Sequence, residues 1–261
     1  MAGAALVSAL ARVVAPTRGR LLVLIYHRVH AVEDALFPRE PTRQVFHWQM
    51  ELLARHLQPL PLFEAVQRLA DGRLPPRAVA VTFDDGYADN QAIAAPILAA
   101  VGVPATFFVT TSYLDGGRMW NDTVIEAVRR APAGRLGFAA LGIEPLQIDD
   151  GPSRRRLVDR IIAASKHLPQ DERQQRVDEF AAMVGVELPR ELMMRSAQVQ
   201  ALARAGFEIG GHTVTHPILL KLAPEQARRE IVDGKARLEA LLGRPLRLFA
   251  YPNGRPGEDY G

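Results

Sequence analysis

Short apolar runs alternate with helical patterns along most of this chain, and that alternation limits its fold more than any other feature. Leu21 to Tyr26, Ala78 to Phe83, Pro104 to Thr110, Phe207 to Gly211 and Leu246 to Tyr251 each have the length and apolar content of a buried strand. Between them lie segments of helical period. Thr42 is placed to cap a helix that puts Phe46, Met50, Leu53 and Leu57 on one face. A second helix runs from Leu62 to Ala70 and stops at Gly72; a third carries Ile93, Ile97 and Val101 on one side. Ser196 is the expected cap of a helix ending at Gly206. Pro224 opens a longer helix, with Ala227, Ile231, Leu238 and Leu241 on one face, that ends at Gly243. Strand followed by helix, repeated, implies a parallel sheet covered by helices, either open or closed into a barrel.

One stretch breaks the rhythm. From about Trp120 to Arg195 the chain is rich in Arg, Glu and Gln and shows no convincing strand. Leu157, Ile161, Ile162 and Leu168 suggest one amphipathic helix, and Val177, Phe180, Ala181 and Val184 another. The expectation is a helical insertion between two βα units, too thinly supplied with large apolar residues to form a domain of its own.

Composition narrows the chemistry. The chain has 261 residues, 48% of them hydrophobic, enough for one sizeable domain or two small ones. The 32 Lys and Arg against 29 Asp and Glu leave only +3 of net charge, so the basic balance does not argue for nucleic acid as a partner. There is no cysteine, which excludes disulfides, thiolate metal sites and cysteine nucleophiles. No apolar run reaches the roughly 18 residues of a membrane span. Met1 to Ala15 is apolar but has no basic residue ahead of its apolar part. It reads as a short helix lying on the domain rather than a signal peptide, which favours a cytoplasmic over an exported protein. Oligomeric state is not legible.

The chemistry gathers at strand ends. Thr82-Phe83-Asp84-Asp85-Gly86-Tyr87 closes a strand with two adjacent carboxylates before a glycine turn. In parallel α/β folds functional groups collect at the carboxyl ends of strands. Successive residues leaving a strand point in different directions, so one carboxylate can bind a metal while the other faces substrate. The alternative is that both merely cap the next turn. Gly210-Gly211-His212-Thr213-Val214-Thr215-His216 also follows a strand. Two histidines four residues apart converge on one cation if the segment turns helically. Two histidines and a carboxylate are a common divalent-metal set that leaves positions open for water and substrate.

These residues resemble the polysaccharide deacetylase family, the NodB-homology group of carbohydrate esterase family 4. The likeness rests on TFDDGY at 82–87, HTVTH at 212–216 and, less specifically, FAYPNG at 249–254, and it runs from about Leu21 to the end. It implies an irregular (β/α) barrel. It makes Asp84 the general base and Asp85, His212 and His216 the ligands of one divalent ion, usually Zn²⁺. The implied substrate is an N-acetylated glycan, which loses its acetyl groups as water attacks the amide carbonyl. Hydrolysis of another amide, formyl or cyclic, is the alternative within the same chemistry; a non-catalytic carbohydrate-binding relic is the alternative outside it.

Two departures from the family pattern stand out. Familiar members carry an arginine just after the phenylalanine of the third motif, against the base aspartate; here Phe249 is followed by Ala250. Arg28 and Arg255 are the candidate substitutes. The family's catalytic acid is a histidine in a later Leu-x-His motif, and no such motif follows FAYPNG here. His27, at the end of the first strand, is the internal candidate for that role. Tyr87, Tyr251 and Trp120 are candidate substrate contacts, Trp120 being equally able to pack the insertion. His30, His47, His56 and His167 read as surface or helix-face residues. Five strands are legible where such a barrel needs about seven or eight. The overall expectation is therefore a single α/β domain over residues 1–261, an irregular (β/α) barrel incomplete at its C-terminal side, with a helical insertion at about 120–195.

Overall fold

The computed structural model describes residues 19–261; the helix expected at Met1 to Ala15 lies outside the described residues. Four parallel strands form the sheet in the order β1 (Leu22–Tyr26), β3 (Ala78–Phe83), β4 (Ala105–Val109), β7 (Glu208–Gly211), and the short β2 (Gln58–Pro59) pairs with the start of β3. Because every pair is parallel, the carboxyl ends of β1, β3, β4 and β7 share one side of the molecule. That geometry gathers His27, Asp84, Asp85 and His212, each one or two residues past the end of a strand.

Every residue of β3 and β4 is buried, as expected of central strands covered on both faces. β1 alternates instead, with Val23 and Ile25 exposed. Register places Tyr26 beside Phe83 and Phe83 beside Phe107. Their rings follow: Tyr26 stacks on Phe83 at 5.5 Å and Phe83 on Phe107 at 4.9 Å, while Phe207 meets Phe107 edge-on at 5.5 Å. Phe46, Met50 and Leu53 of α1 (Arg43–His56) close this core. Thr42 caps α1 as expected, its hydroxyl accepting the Val45 N–H at 3.3 Å. Helix α2 spans Leu62–Ala70, and α3 (Ala95–Val101) follows a π-helical turn at Asn90–Ala94.

Three expectations are corrected. The first concerns the insertion, which is not purely helical. Between α4 (Trp120–Arg130) and the helices α5 (Gly151–Ser165) and α6 (Gln170–Val184) lies an antiparallel hairpin, β5 (Arg135–Phe138) and β6 (Ile143–Gln147). Its residues hide the signal, because Gly137 and Pro145 are poor strand formers. Gly137 is there because a Cβ would lie 2.6 Å from the Ile143 carbonyl oxygen. Nor is the insertion thin in apolar residues: Val124, Val128, Phe138, Ile148, Leu157, Ile161, Val177 and Phe180 form a second core, joined by Leu36 from the loop after β1.

Second, Leu246 to Tyr251 does not form a strand. It lies along β7 with one parallel bridge, Gly211 to Phe249. β7 offers only four residues, and Pro245 and Pro252 bracket the segment, so the ladder cannot lengthen. Third, Ser196 is the first residue of α7 (Ser196–Arg204) and not its cap. The carboxylate of Asp115, from the loop after β4, accepts its N–H at 2.8 Å and its hydroxyl at 2.6 Å. Helix α8 spans Pro224–Leu242, with Pro224 in its first turn and Gly243 in the left-handed conformation at its end, as expected.

Candidate metal centre

The Asp-Asp turn is fixed by its neighbours in the sheet. The Asp84 N–H donates to the Tyr26 carbonyl at 2.9 Å, and the Thr110 N–H donates to the Asp85 carbonyl at 3.2 Å. Asp85 has φ of 76°, a left-handed conformation that costs a non-glycine residue about 1–3 kcal/mol and marks constrained, functional turns. The two carboxylates meet different surroundings. Asp85 is buried, while Asp84 remains partly accessible.

The histidine loop reaches the same point without a helix, against the expectation of a helical turn. His212 continues β7, its N–H donating to the Val109 carbonyl at 3.2 Å. Thr213 and His216 then adopt φ of 67° and 57°, and the Thr213 hydroxyl accepts the His216 N–H at 3.0 Å. This compact loop brings the rings of His212 and His216 to 4.9 Å between centroids. The Nε2 atoms of His212 and His216 lie 3.4 and 3.2 Å from the Asp85 Oδ1. Asp85, His212 and His216 each offer a ligand atom, all within 4.8 Å of one another.

The electrostatics explain why such a group can stay together. Burial pushes the Asp85 carboxyl up, but the imidazoles of His216 and His212 outweigh it and hold the acid far below the usual range. Burial depresses His212, and the Asp85 carboxylate reverses that and raises it. Asp84 is raised, chiefly by burial, with His212 and His27 opposing and the Asp85 charge adding to the rise. The Asp85 Oδ1 is buried and has no hydrogen-bond partner among the described residues. A buried acceptor without a donor, facing two imidazole nitrogens, suits a cation held among them.

Other candidates are placed as follows. His27 is exposed and close enough to Asp84 for its charge to be felt there. Arg28 does not partner Asp84: its guanidinium bonds Asp89 at 2.8 Å and lies 4.8 Å over the Tyr87 ring. Arg255 does not either, since its guanidinium pairs with Glu258. Tyr87 is 4% exposed, and its hydroxyl donates to Asp122 Oδ1 at 3.0 Å. Trp120 packs on the second core, with the Arg173 guanidinium 4.9 Å over its ring. Tyr251 is 43% exposed and stacks on Tyr260 at 4.0 Å. His30 bonds Glu40 at 2.5 Å and is part of the loop after β1.

Asp122 is not among the sequence candidates. Trp120, two residues before it, stands out for its aromatic ring, whereas the buried carboxylate is the unusual member. Burial pushes Asp122 up to about 7 despite Arg28 and the Tyr87 hydroxyl, and its Oδ2 has no partner among the described residues. No local signal marks it, since Thr123 and Glu126 of the same helix are polar and buried as well.

Comparison with known proteins gives a consistent picture. The family model "Polysaccharide deacetylase" matches residues 71–133 and 146–260. YxkH of Bacillus subtilis (strain 168), whose name assigns it only provisionally to the polysaccharide deacetylases, is 21% identical over 92% of the chain. The chain spans 59% of the length of that curated relative. The Streptococcus pyogenes deacetylase PplD, solved in complex with acetate, superposes with a TM-score of 0.56 at 19% identity, over 92% of this chain and 76% of its own. IcaB from Ammonifex degensii does so with a TM-score of 0.55 at 22% identity, over 90% and 76%. The fold is thus the mixed α/β architecture of the NodB type, and the match of the family model across most of the sequence shows that the chain belongs to the polysaccharide deacetylase family.

Proposed function

We propose that this chain is a metal-dependent hydrolase that removes N-acetyl groups from an N-acetylated sugar or polysaccharide. The observation that carries the reading is the partnerless, buried Asp85 Oδ1 facing the Nε2 atoms of His212 and His216, with Asp84 beside it. Asp85, His212 and His216 would hold the ion, most fittingly Zn²⁺ given two imidazoles and one carboxylate. When bound there, it supplies a Lewis acid and a water of lowered pKa.

The protein's own groups do the rest. Asp84 accepts the proton of the attacking water, and its raised pKa makes it a better base than an ordinary surface carboxylate. Asp85 stays ionised beside it, so two adjacent acids take separate roles through their environments. The fixed Asp-Asp turn and the Ala250 carbonyl keep these groups in place without reorganisation. His27, the residue after β1 and near enough to Asp84 for its charge to be felt there, is the group we assign to protonating the leaving amine. Tyr251, exposed on its Tyr260 stack, offers a flat apolar face for a sugar ring. The acetate seen with PplD is consistent with an acetyl group as the part released.

The test is acetate release from N-acetylglucosamine oligomers by the zinc-loaded chain, with and without a chelator. Acetate that appears only with metal supports the reading. Formate from N-formyl oligomers with no acetate would move the substrate to another amide, and oligomer binding without turnover would make the chain a binding module.

A further inference from the structure

The loop carrying both histidines is tied down from its far side by one carboxylate. Glu230, on α8, accepts the N–H groups of Val214 and Thr215 through Oε2, both at 2.8 Å. Its Oε1 accepts the Thr215 hydroxyl at 2.7 Å. That hydroxyl also accepts from Gln170 Nε2 at 3.1 Å, at the start of α6. The Tyr113 hydroxyl donates to the Thr215 carbonyl at 3.0 Å. Every polar group of Thr215, the residue before His216, is therefore engaged. Helix α8 also approaches the loop closely: a Cβ at Gly234, one turn beyond Glu230, would lie 3.0 Å from the carbonyl carbon and oxygen of Thr213.

The loop needs this support. Thr213 and His216 both have positive φ, and such residues persist only where their surroundings over-determine them. His212 has independent anchors in β7 and in the Ala250 carbonyl, 2.9 Å from its Nδ1. Among the described residues His216 has none of that kind; its backbone N–H bonds within the loop. Hydrogen bonds from backbone N–H groups to an ionised carboxylate are among the stronger ones a protein makes.

We infer that Glu230 is a positioning residue of the metal centre: its carboxylate holds the 212–216 loop in the conformation that presents His216 Nε2 to Asp85. Residues behind metal ligands commonly set metal affinity, and their loss weakens it about 10–100-fold. The inference rests on the metal reading given above.

The test is calorimetric titration of Zn²⁺ into the metal-free full chain, alongside the thermal melt of the same metal-free samples. Glu230→Gln keeps the shape but turns one of the two acceptors into a donor. It should weaken zinc about 10–100-fold and alter the visible spectrum of the cobalt-loaded protein. Glu225→Gln, exposed on the same helix, should bind zinc as the wild type does. Thr215→Val removes only the hydroxyl and serves if Glu230→Gln does not fold; a loss of about fivefold or more supports the inference. Zinc affinity within about threefold of wild type in a folded Glu230→Gln, or in Thr215→Val where it stands in, overturns it. So does an equal loss in Glu225→Gln. A wild-type chain that takes up no zinc overturns the metal reading itself, and does so before any variant is compared.

Discussion

The Nδ1 atom of His212 lies 2.9 Å from the carbonyl oxygen of Ala250, so position 250, which lacks the arginine of familiar relatives, still serves the site through its backbone. The contact fixes Nδ1 as the donor and leaves Nε2 free as a ligand toward Asp85, the arrangement usual for metal-binding histidines. Removing the ring should therefore remove the ion. His212→Ala is expected to lower zinc stoichiometry from one per chain to near none by elemental analysis; unchanged stoichiometry would show that the ion sits elsewhere.

Asp84 and Asp85 are neighbours in sequence with opposite environments, and substitution should separate their roles. Asp84→Asn keeps the size and removes the basicity. It should retain zinc and lose about 10²–10⁴-fold in turnover. Release of the metal by Asp84→Asn would mean that the two roles are reversed.

His27 is exposed, so its removal should leave the fold intact. His27→Ala is expected to lower turnover about 10²-fold or more with zinc content unchanged, if it is the acid. A pH profile with the same basic limb in variant and wild type would take that role away from it.

Much of this site was legible because strand ends and liganding residues carry local signals. The Asp-Asp pair of TFDDGY follows a run of six apolar or β-branched residues, and its place at the sheet's carboxyl end follows from parallel pairing alone. What was not legible depends on contacts distant in sequence. Asp115 takes the capping role expected of Ser196 across 81 positions. The strand β5 carries a glycine because β6 passes so close to it, and no window of sequence shows that. Arg28 looked available to Asp84, but the first turn after β3 presents Asp89 instead. Glu230 and Asp122 read as ordinary helix acids until the fold shows what surrounds them.

The core beneath the site is a row of rings, and its centre should carry the most energy. Phe107 is fully buried between Phe83 and Phe207. Phe107→Ala should cost about 3–5 kcal/mol, read as a lower urea midpoint. Ile25 points outward from β1 and is 61% exposed, so Ile25→Ala should change stability by less than about 0.5 kcal/mol. Equal effects would mean that the outer face of β1 is covered in solution.

Asp122 should give the metal-free protein a pH dependence of unusual sign for a carboxylate. Burial pushes its carboxyl up to about 7, against an unfolded value near 3.9. The folded chain therefore binds this proton more tightly than the unfolded chain does. The contribution to stability is fully present below about pH 4 and is lost as pH rises through about 7, when a charge must form beside the Tyr87 hydroxyl in a buried site. Asp122→Asn cannot ionise. Its amide oxygen can still accept from Tyr87, and its NH₂ group replaces an oxygen that already lacks a partner, so the substitution adds a penalty that does not vary with pH. The stability of wild type relative to the variant should fall by roughly 2–3 kcal/mol between pH 5 and pH 8. Urea denaturation of both proteins at the two pH values, with chelator present, measures that difference directly. A difference independent of pH would show that Asp122 is already ionised at pH 5, held as a carboxylate by Arg28 and the Tyr87 hydroxyl.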